Sequence, residues 1–214
     1  MPGSTDRKKN RLTAEERRAA IVEAAVRLFA EKGFRGTTTR ELAAAVGVSE
    51  PVLYQHFATK GDLYTAIIEA ICRHRDRDRD GLLELARHAE DDEAFFSRLA
   101  ELILEWYDEQ PEVVRLLLFS ALEEHDLKDR FVETQVAMLY EILTEYLERR
   151  MDKGVFRRMD PYLAARAFTG MVSHQGMAKV VFGIDDLRGS RQEIARKIAD
   201  IFVNGIRSHG AQGA

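Results

Sequence analysis

The stretch from Thr37 to Phe57 leaves this chain little choice of local structure. Thr38 and Glu41 stand three residues apart. A threonine at a helix cap and a glutamate at the third helical position satisfy each other's free amides, so a helix opens here and runs over 40–46. Its inward side carries Leu42, Ala43 and Val46. Gly47 permits the positive φ of a tight turn, and Val48 can plug the junction behind it. Ser49 is placed as the cap of the next helix, 50–57, with Glu50 and Pro51 in the first turn, where a proline gives up no hydrogen bond. A helix of about two turns cannot stand alone in water. Its support lies upstream, where Thr13 and Glu16 form another capping box. Ile21, Ala25, Leu28 and Phe29 then recur at helical spacing until Gly33 stops the run. Two short helices joined through a glycine turn and packed on a longer one make a helix-turn-helix.

Everything downstream also reads as helix. A fourth helix begins near Lys60-Gly61-Asp62, with Leu63, Ile67, Ala70 and Ile71 along one face. The alternating charges at 73–80 read as a solvated, salt-bridged surface. Amphipathic segments follow near 93–110, 111–124, 128–153, 161–182 and 190–208, broken by Gln110-Pro111, His125-Asp126, Gly154, Asp160-Pro161 and the stretch 183–189. Asp160-Pro161 combines a cap with a first-turn proline, and Ser190 with Glu193 is a third capping box. No strand signal competes and no internal repeat is present. The expectation is an all-α chain of about nine helices. A three-helix domain over 1–60, with 1–12 as a flexible basic arm, joins a larger helical domain over 61–214.

Composition enters where partners are concerned. The formal net charge of −4 looks wrong for a nucleic-acid binder. It is unevenly spread: residues 1–60 hold 11 Lys and Arg against 7 Asp and Glu, and the remainder holds 21 against 29. A head of +4 on a body of −8 fits a DNA-facing end on an acidic support. No apolar run approaches the ~20 residues that span a bilayer. The charged start, MPGSTDRKKNR, has no apolar core of the kind a secretory signal needs. Cys72 is the only cysteine and so has no intramolecular disulfide partner; it fits a reducing cytoplasm and reads as a small core residue beside Ile67, Ile68 and Ile71.

The residues also carry a family likeness. Ala25, Leu28, Phe29, Gly33 and Phe34, then Thr37 through Ala43, Ala45-Val46-Gly47-Val48-Ser49, Leu53-Tyr54, His56-Phe57 and Lys60 resemble the DNA-binding domain of the tetracycline-repressor (TetR) family. The match covers some forty residues between Ile21 and Leu63 without a gap. It implies a homodimeric, ligand-responsive regulator, usually a repressor, that binds a palindromic operator in double-stranded DNA. In a helix-turn-helix the second short helix enters the major groove. By position Glu50, Pro51, Val52 and Gln55 face bases. Glu50 suits a cytosine amine, Val52 a thymine methyl and Gln55 an adenine or a phosphate. Tyr54, His56 and Lys60 have phosphate chemistry, and the resemblance places matching residues at the backbone. Thr38, Thr39 and Ser49 stand at helix starts, which favour anions. Arg40 can reach a guanine or a phosphate. Arg7-Lys8-Lys9-Asn10-Arg11 reads equally as a minor-groove arm or a solubilising tail.

In the body, Phe95, Leu99, Leu102, Trp106, Tyr107, Leu117, Met138, Tyr140, Phe168, Met171, His174, Gln175 and Met177 have the mix of apolar bulk and a few polar tips from which small-molecule sites are built. A stripe of this kind at helical spacing is more often ordinary core. The resemblance implies that the last two helices pair two copies in a four-helix bundle. Phe168, Met171, Val172, Gln175, Ile194, Ile198, Ile201, Phe202 and Ile206, with Gly170 and Gly176 for close approach, are the candidates, and closing the chain's own core is the alternative. No Ser–His–Asp spacing, glycine-rich phosphate loop or H-E-x-x-H motif points to an enzyme. Four histidines, His74, His88, His125 and His174, approach a metal site only if the fold gathers them. No cofactor is expected. An adaptor acting through protein partners is the rival reading, against which the Tyr54, His56 and Lys60 trio argues.

Overall fold

The computed structural model describes residues 13–89, 91–123, 129, 131–186 and 188–208, with the backbone alone for 68, 72–80, 134 and 135. The described residues form nine α-helices and one π-helical segment. The helices are α1 (Ala14–Lys32), α2 (Thr39–Val46), α3 (Glu50–His56), α4 (Lys60–His88), α5 (Asp92–Glu109) and α6 (Pro111–Leu122). The π segment (Val132–Val136) leads into α7 (Ala137–Asp152), followed by α8 (Pro161–Phe182) and α9 (Arg191–Ile206). The all-helical expectation holds. The basic arm at 7–11 and His125 lie outside the described residues, as do the side chains of Cys72, His74 and the charge run at 73–80.

The helix starts follow from local chemistry. Capping boxes with both reciprocal bonds form at Thr13, Thr38 and Ser190, as their spacing predicts. A fourth, Thr59 with Asp62, opens α4 and went unread in the sequence. Asp160 caps α8 through the amides of Tyr162 and Leu163. Ser49 is a correction: it occupies the cap of α3 by backbone geometry, but its hydroxyl makes no capping bond. Burial of Leu53 and Phe57 holds that helix instead. The helix expected unbroken over 128–153 also differs. At Val132–Val136 the backbone widens, and the amide of Ala137 reaches the carbonyl of Val132. One extra residue per turn changes the phase of the side chains. Phe131 thereby stacks on Trp106, with ring centroids 6.0 Å apart, while Ile142 and Leu143 stay in the core.

Two apolar cores result. In the head, Ile21, Ala25 and Phe29 of α1 meet Leu42 of α2 and Leu53 and Phe57 at α3. Leu63, Tyr64 and Ile67 of α4 and Leu116 of α6 complete that cluster, so it is closed from the body side. In the body, Phe95 and Phe96 of α5, Tyr146 of α7, Phe168 of α8 and Phe202 of α9 form one aromatic cluster. Phe95 stacks on Tyr146 at 4.0 Å, and Phe96 meets Phe168 and Phe202 edge-on at 4.8 and 4.9 Å. Burying each such ring contributes about 1.5–3 kcal/mol. At the edge of this cluster the buried Asp92 accepts from the Tyr146 hydroxyl at 2.7 Å and from Arg150 at 2.6 Å. The Tyr146 hydroxyl titrates well above its ordinary range, chiefly because burial disfavours the phenolate and then because Asp92 stands beside it.

Candidate nucleic-acid interface and body cavity

The α2–α3 pair presents one continuous outer surface. Gly47 takes the left-handed conformation, φ 73° and ψ 32°, which turns the chain sharply enough to lay α3 across α2. On α3, Leu53 and Phe57 point into the head core, leaving Pro51, Tyr54 and Gln55 outward and Glu50, Val52 and His56 half-buried. On α2, Thr38 and Arg40 are exposed and Thr39 is half-buried against α3. The Thr39 hydroxyl donates to the Glu50 carboxylate at 3.1 Å, so the acid that opens α3 is tied to the start of α2. Tyr54 is 46 % exposed, with its hydroxyl 3.5 Å from that of Thr39. Ser49 is exposed at the start of α3.

Lys60 is a correction. Its ammonium does not face outward with the others. It donates to the backbone carbonyls of Phe34 and Thr37 and lies 4.1 Å from the centre of the Phe34 ring. Burial there pulls its pKa below the ordinary lysine range. Two of its three donors brace the α1–α2 turn against the start of α4. A second brace comes from the body: the Glu123 carboxylate, just after α6, accepts from the amide of Phe34 at 3.0 Å and from that of Arg35 at 3.4 Å. Nearby, Glu41 pairs with Lys32 at 2.6 Å. That contact, followed by the capping bonds to Thr38, holds the Glu41 carboxyl down at about 2.

In the body, a cavity of about 340 Å³ opens between α5, the π segment, α7 and α8. Leu99, Leu102, Trp106, Tyr107, Met138 and Tyr140 line it together, as the sequence proposed. The other candidates lie elsewhere. Phe95 and Phe168 are sealed in the aromatic cluster, with no face left for a ligand. Leu117 packs on the head core, Met171 against the main body core, and Met177 beside Tyr107, Val114 and Val180. His174 is exposed on α8. Gln175 borders a separate pocket of about 180 Å³ with Asp108, Lys179 and Arg191. Sequence reasoning missed Ile103, Glu109, Phe131, Leu139, Thr169 and Ser173. Ile103 and Glu109 continue the α5 stripe of Leu99, Leu102 and Trp106 at three- and four-residue spacing, so completing the stripe would have found them. Thr169 and Ser173 come from α8 by tertiary packing alone.

The pairing candidates divide the same way. Phe168, Val172, Ile198, Phe202 and Ile206 are buried in the chain's own core and are not free to meet a second copy. Met171, Gln175 and Ile194 are half-buried. Gly176 allows close approach within the chain, since a Cβ there would sit inside the ring of Tyr107. Ile201 is 63 % exposed, and with it stand Leu163, Val181 and Phe182, which the sequence reading passed over. Among the described residues no group of His, Cys, Asp and Glu has a metal-binding arrangement, and no helix is long and apolar enough to cross a membrane.

Comparison with known proteins agrees with this geometry. Residues 21–67 match the family model for bacterial regulatory proteins of the tetR family, and residues 94–204 match that for the AefR-like transcriptional repressor C-terminal domain. The chain is 31% identical over 144 residues to the transcriptional activator FasR of Mycolicibacterium smegmatis, covering 67% of this chain and 61% of FasR. Among solved structures, the ketosteroid regulator KstR2 of Mycobacterium tuberculosis superposes with a TM-score of 0.69 at 20% identity, covering 92% of this chain and 98% of KstR2. AibR, solved with isovaleryl coenzyme A and operator DNA, gives 0.67 at 23% identity, covering 87% of this chain and 97% of AibR. With a helix-turn-helix head that matches one model and a helical body that matches the other, this chain belongs to the tetR family and is a transcriptional regulator.

Proposed function

We propose that this regulator is a cytoplasmic homodimer, with residues 1–60 as its DNA-reading unit and 61–214 as its sensing and pairing body. It binds a palindromic operator and is released when a small, largely apolar effector fills the α5–α8 cavity. The observation that carries the reading is the outer face of α3. Pro51, Tyr54 and Gln55 stand clear of the head core beside Arg40 and Thr38, and Glu50 is held by Thr39. Glu50, Val52 and Gln55 suit base edges, and Tyr54, His56, Arg40 and the α2 start suit phosphates. Repression as the sense of control is supported by the AefR-like repressor model of the body. Ligand response is supported by AibR, whose structure holds an acyl coenzyme A and operator DNA together. An effector moves the equilibrium only through its different affinity for the DNA-bound and released shapes. No catalytic step and no cofactor belong to this reading.

Gel-shift titration against duplexes selected from genomic DNA tests it. Gln55→Ala should weaken the selected site by about 1–3 kcal/mol more than it weakens random duplex. Arg40→Ala should weaken both alike and lower the salt slope by about 1. A wild-type protein that ignores every duplex at low salt ends the proposal.

A further inference from the structure

The α7–α8 wall of the body cavity carries hydroxyls. Tyr140 stands on α7, and Thr169 and Ser173 lie one turn apart on the same side of α8. Leu99, Leu102 and Ile103 of α5 supply apolar lining. The protons of the hydroxyl wall have an order. A backbone carbonyl only accepts, and the buried Thr169 hydroxyl donates to those of Ala165 and Arg166 at 3.0 and 3.2 Å, one turn back in α8. A threonine hydroxyl has one proton and two lone pairs. The remaining contact of Thr169, 3.3 Å to the Tyr140 hydroxyl, therefore carries the tyrosine's proton. With that proton turned to Thr169, Tyr140 offers the cavity a lone pair. The half-buried Ser173 hydroxyl has both a proton and lone pairs to offer.

Resting on the reading of the cavity as the effector site, we propose that it takes a neutral alcohol, whose hydroxyl donates to Tyr140 and accepts from Ser173 while its carbon skeleton lies against Leu99, Leu102 and Ile103. A ketone on the same skeleton only accepts, so it meets Ser173 and leaves the Tyr140 lone pair facing carbon. An alcohol answers both hydroxyls. The preference is diagnostic because a wall without such partners would favour the ketone. An alcohol gives up the hydration of a donor as well as that of an acceptor, and recovers it only where both are met.

Calorimetric titration of the full-length protein with 2-nonanol and 2-nonanone, which share one carbon skeleton, reads the preference without any variant. The alcohol should bind tighter by about three- to tenfold, the worth of one hydrogen bond. Tyr140→Phe removes the acceptor and should bring the alcohol down to the ketone, leaving the ketone where it was. Thr169→Val releases the Tyr140 proton to the cavity, so the ketone should gain and the preference shrink. A merely structural role for either side chain would weaken both probes alike. A wild type that binds the ketone as tightly as the alcohol, a Tyr140→Phe that weakens both equally, a Thr169→Val with the preference intact, or no binding of either probe overturns the proposal. Gel shifts with the same probes and nonanoate separate the two readings. Operator release by the ketone or by nonanoate, but not by the alcohol, keeps the ligand-released regulator and discards the alcohol. Selective alcohol binding that leaves the operator complex intact keeps the alcohol site and discards the effector reading.

Discussion

Lys60 sits over the Phe34 ring with its ammonium turned to two backbone carbonyls, although its place in the motif suits a phosphate contact. The residue type was legible and its direction was not, because a four-carbon stem reaches equally far inward and outward. The carboxylates behave more predictably, since capping is local. Glu41 is held at about 2 against an ordinary 4.5, chiefly by Lys32. A depressed carboxylate contributes stability that is complete above the unfolded pKa and is lost as pH falls through the folded one. The wild type should therefore lose melting temperature between pH 4.5 and 2, and Glu41→Gln should flatten that loss, as circular dichroism melts across the range would show. Asp92 tests the buried case. Its carboxylate answers Tyr146 and the largely buried Arg150, so Asp92→Ala leaves a cation unpaired and should cost about 3–5 kcal/mol in urea unfolding. A midpoint unchanged from wild type would show that water satisfies Arg150.

Helices are where sequence reading succeeds most fully, since a cap, a spacing and a stop all lie within a few residues of each other. Thr13, Thr38, Asp160 and Ser190 start their helices where their spacing says they must. The π segment at Val132–Val136 escaped, because no cap, glycine or proline marks it, and it is seen only together with the stacking of Phe131 on Trp106. Gly176 shows the same contrast. In isolation an alanine there would favour the helix by about 1 kcal/mol. In the fold its Cβ meets the Tyr107 ring where α8 presses on α5. Gly176→Ala should therefore destabilise the protein, by about 1–3 kcal/mol, the usual range for overpacking. Pairing it with Tyr107→Leu should recover part of the loss, and a stabilising single variant would show that the two helices part easily.

Across the whole molecule, the exposed apolar residues of α8 and α9 are the feature no single helix explains. Leu163, Val181, Phe182 and Ile201 are exposed although large and apolar. If the proposed homodimer pairs through this face, the wild type should sediment as a dimer and Ile201→Glu as a folded monomer with operator binding weakened at least tenfold, because two linked heads bind far more tightly than one. An unchanged sedimentation coefficient would move the interface elsewhere. Sequence alone determined the helical class, most of the helix starts and the two-turn helix that follows Gly47. Those are short-range properties, set by φ preferences, caps and the 3.6-residue period. Which side of α8 and α9 is buried, which six of the proposed residues share a cavity, and where Lys60 points were decided only when the helices packed. Each of those outcomes turns on contacts between residues tens of positions apart, and a helical stripe by itself cannot say which neighbour it will meet.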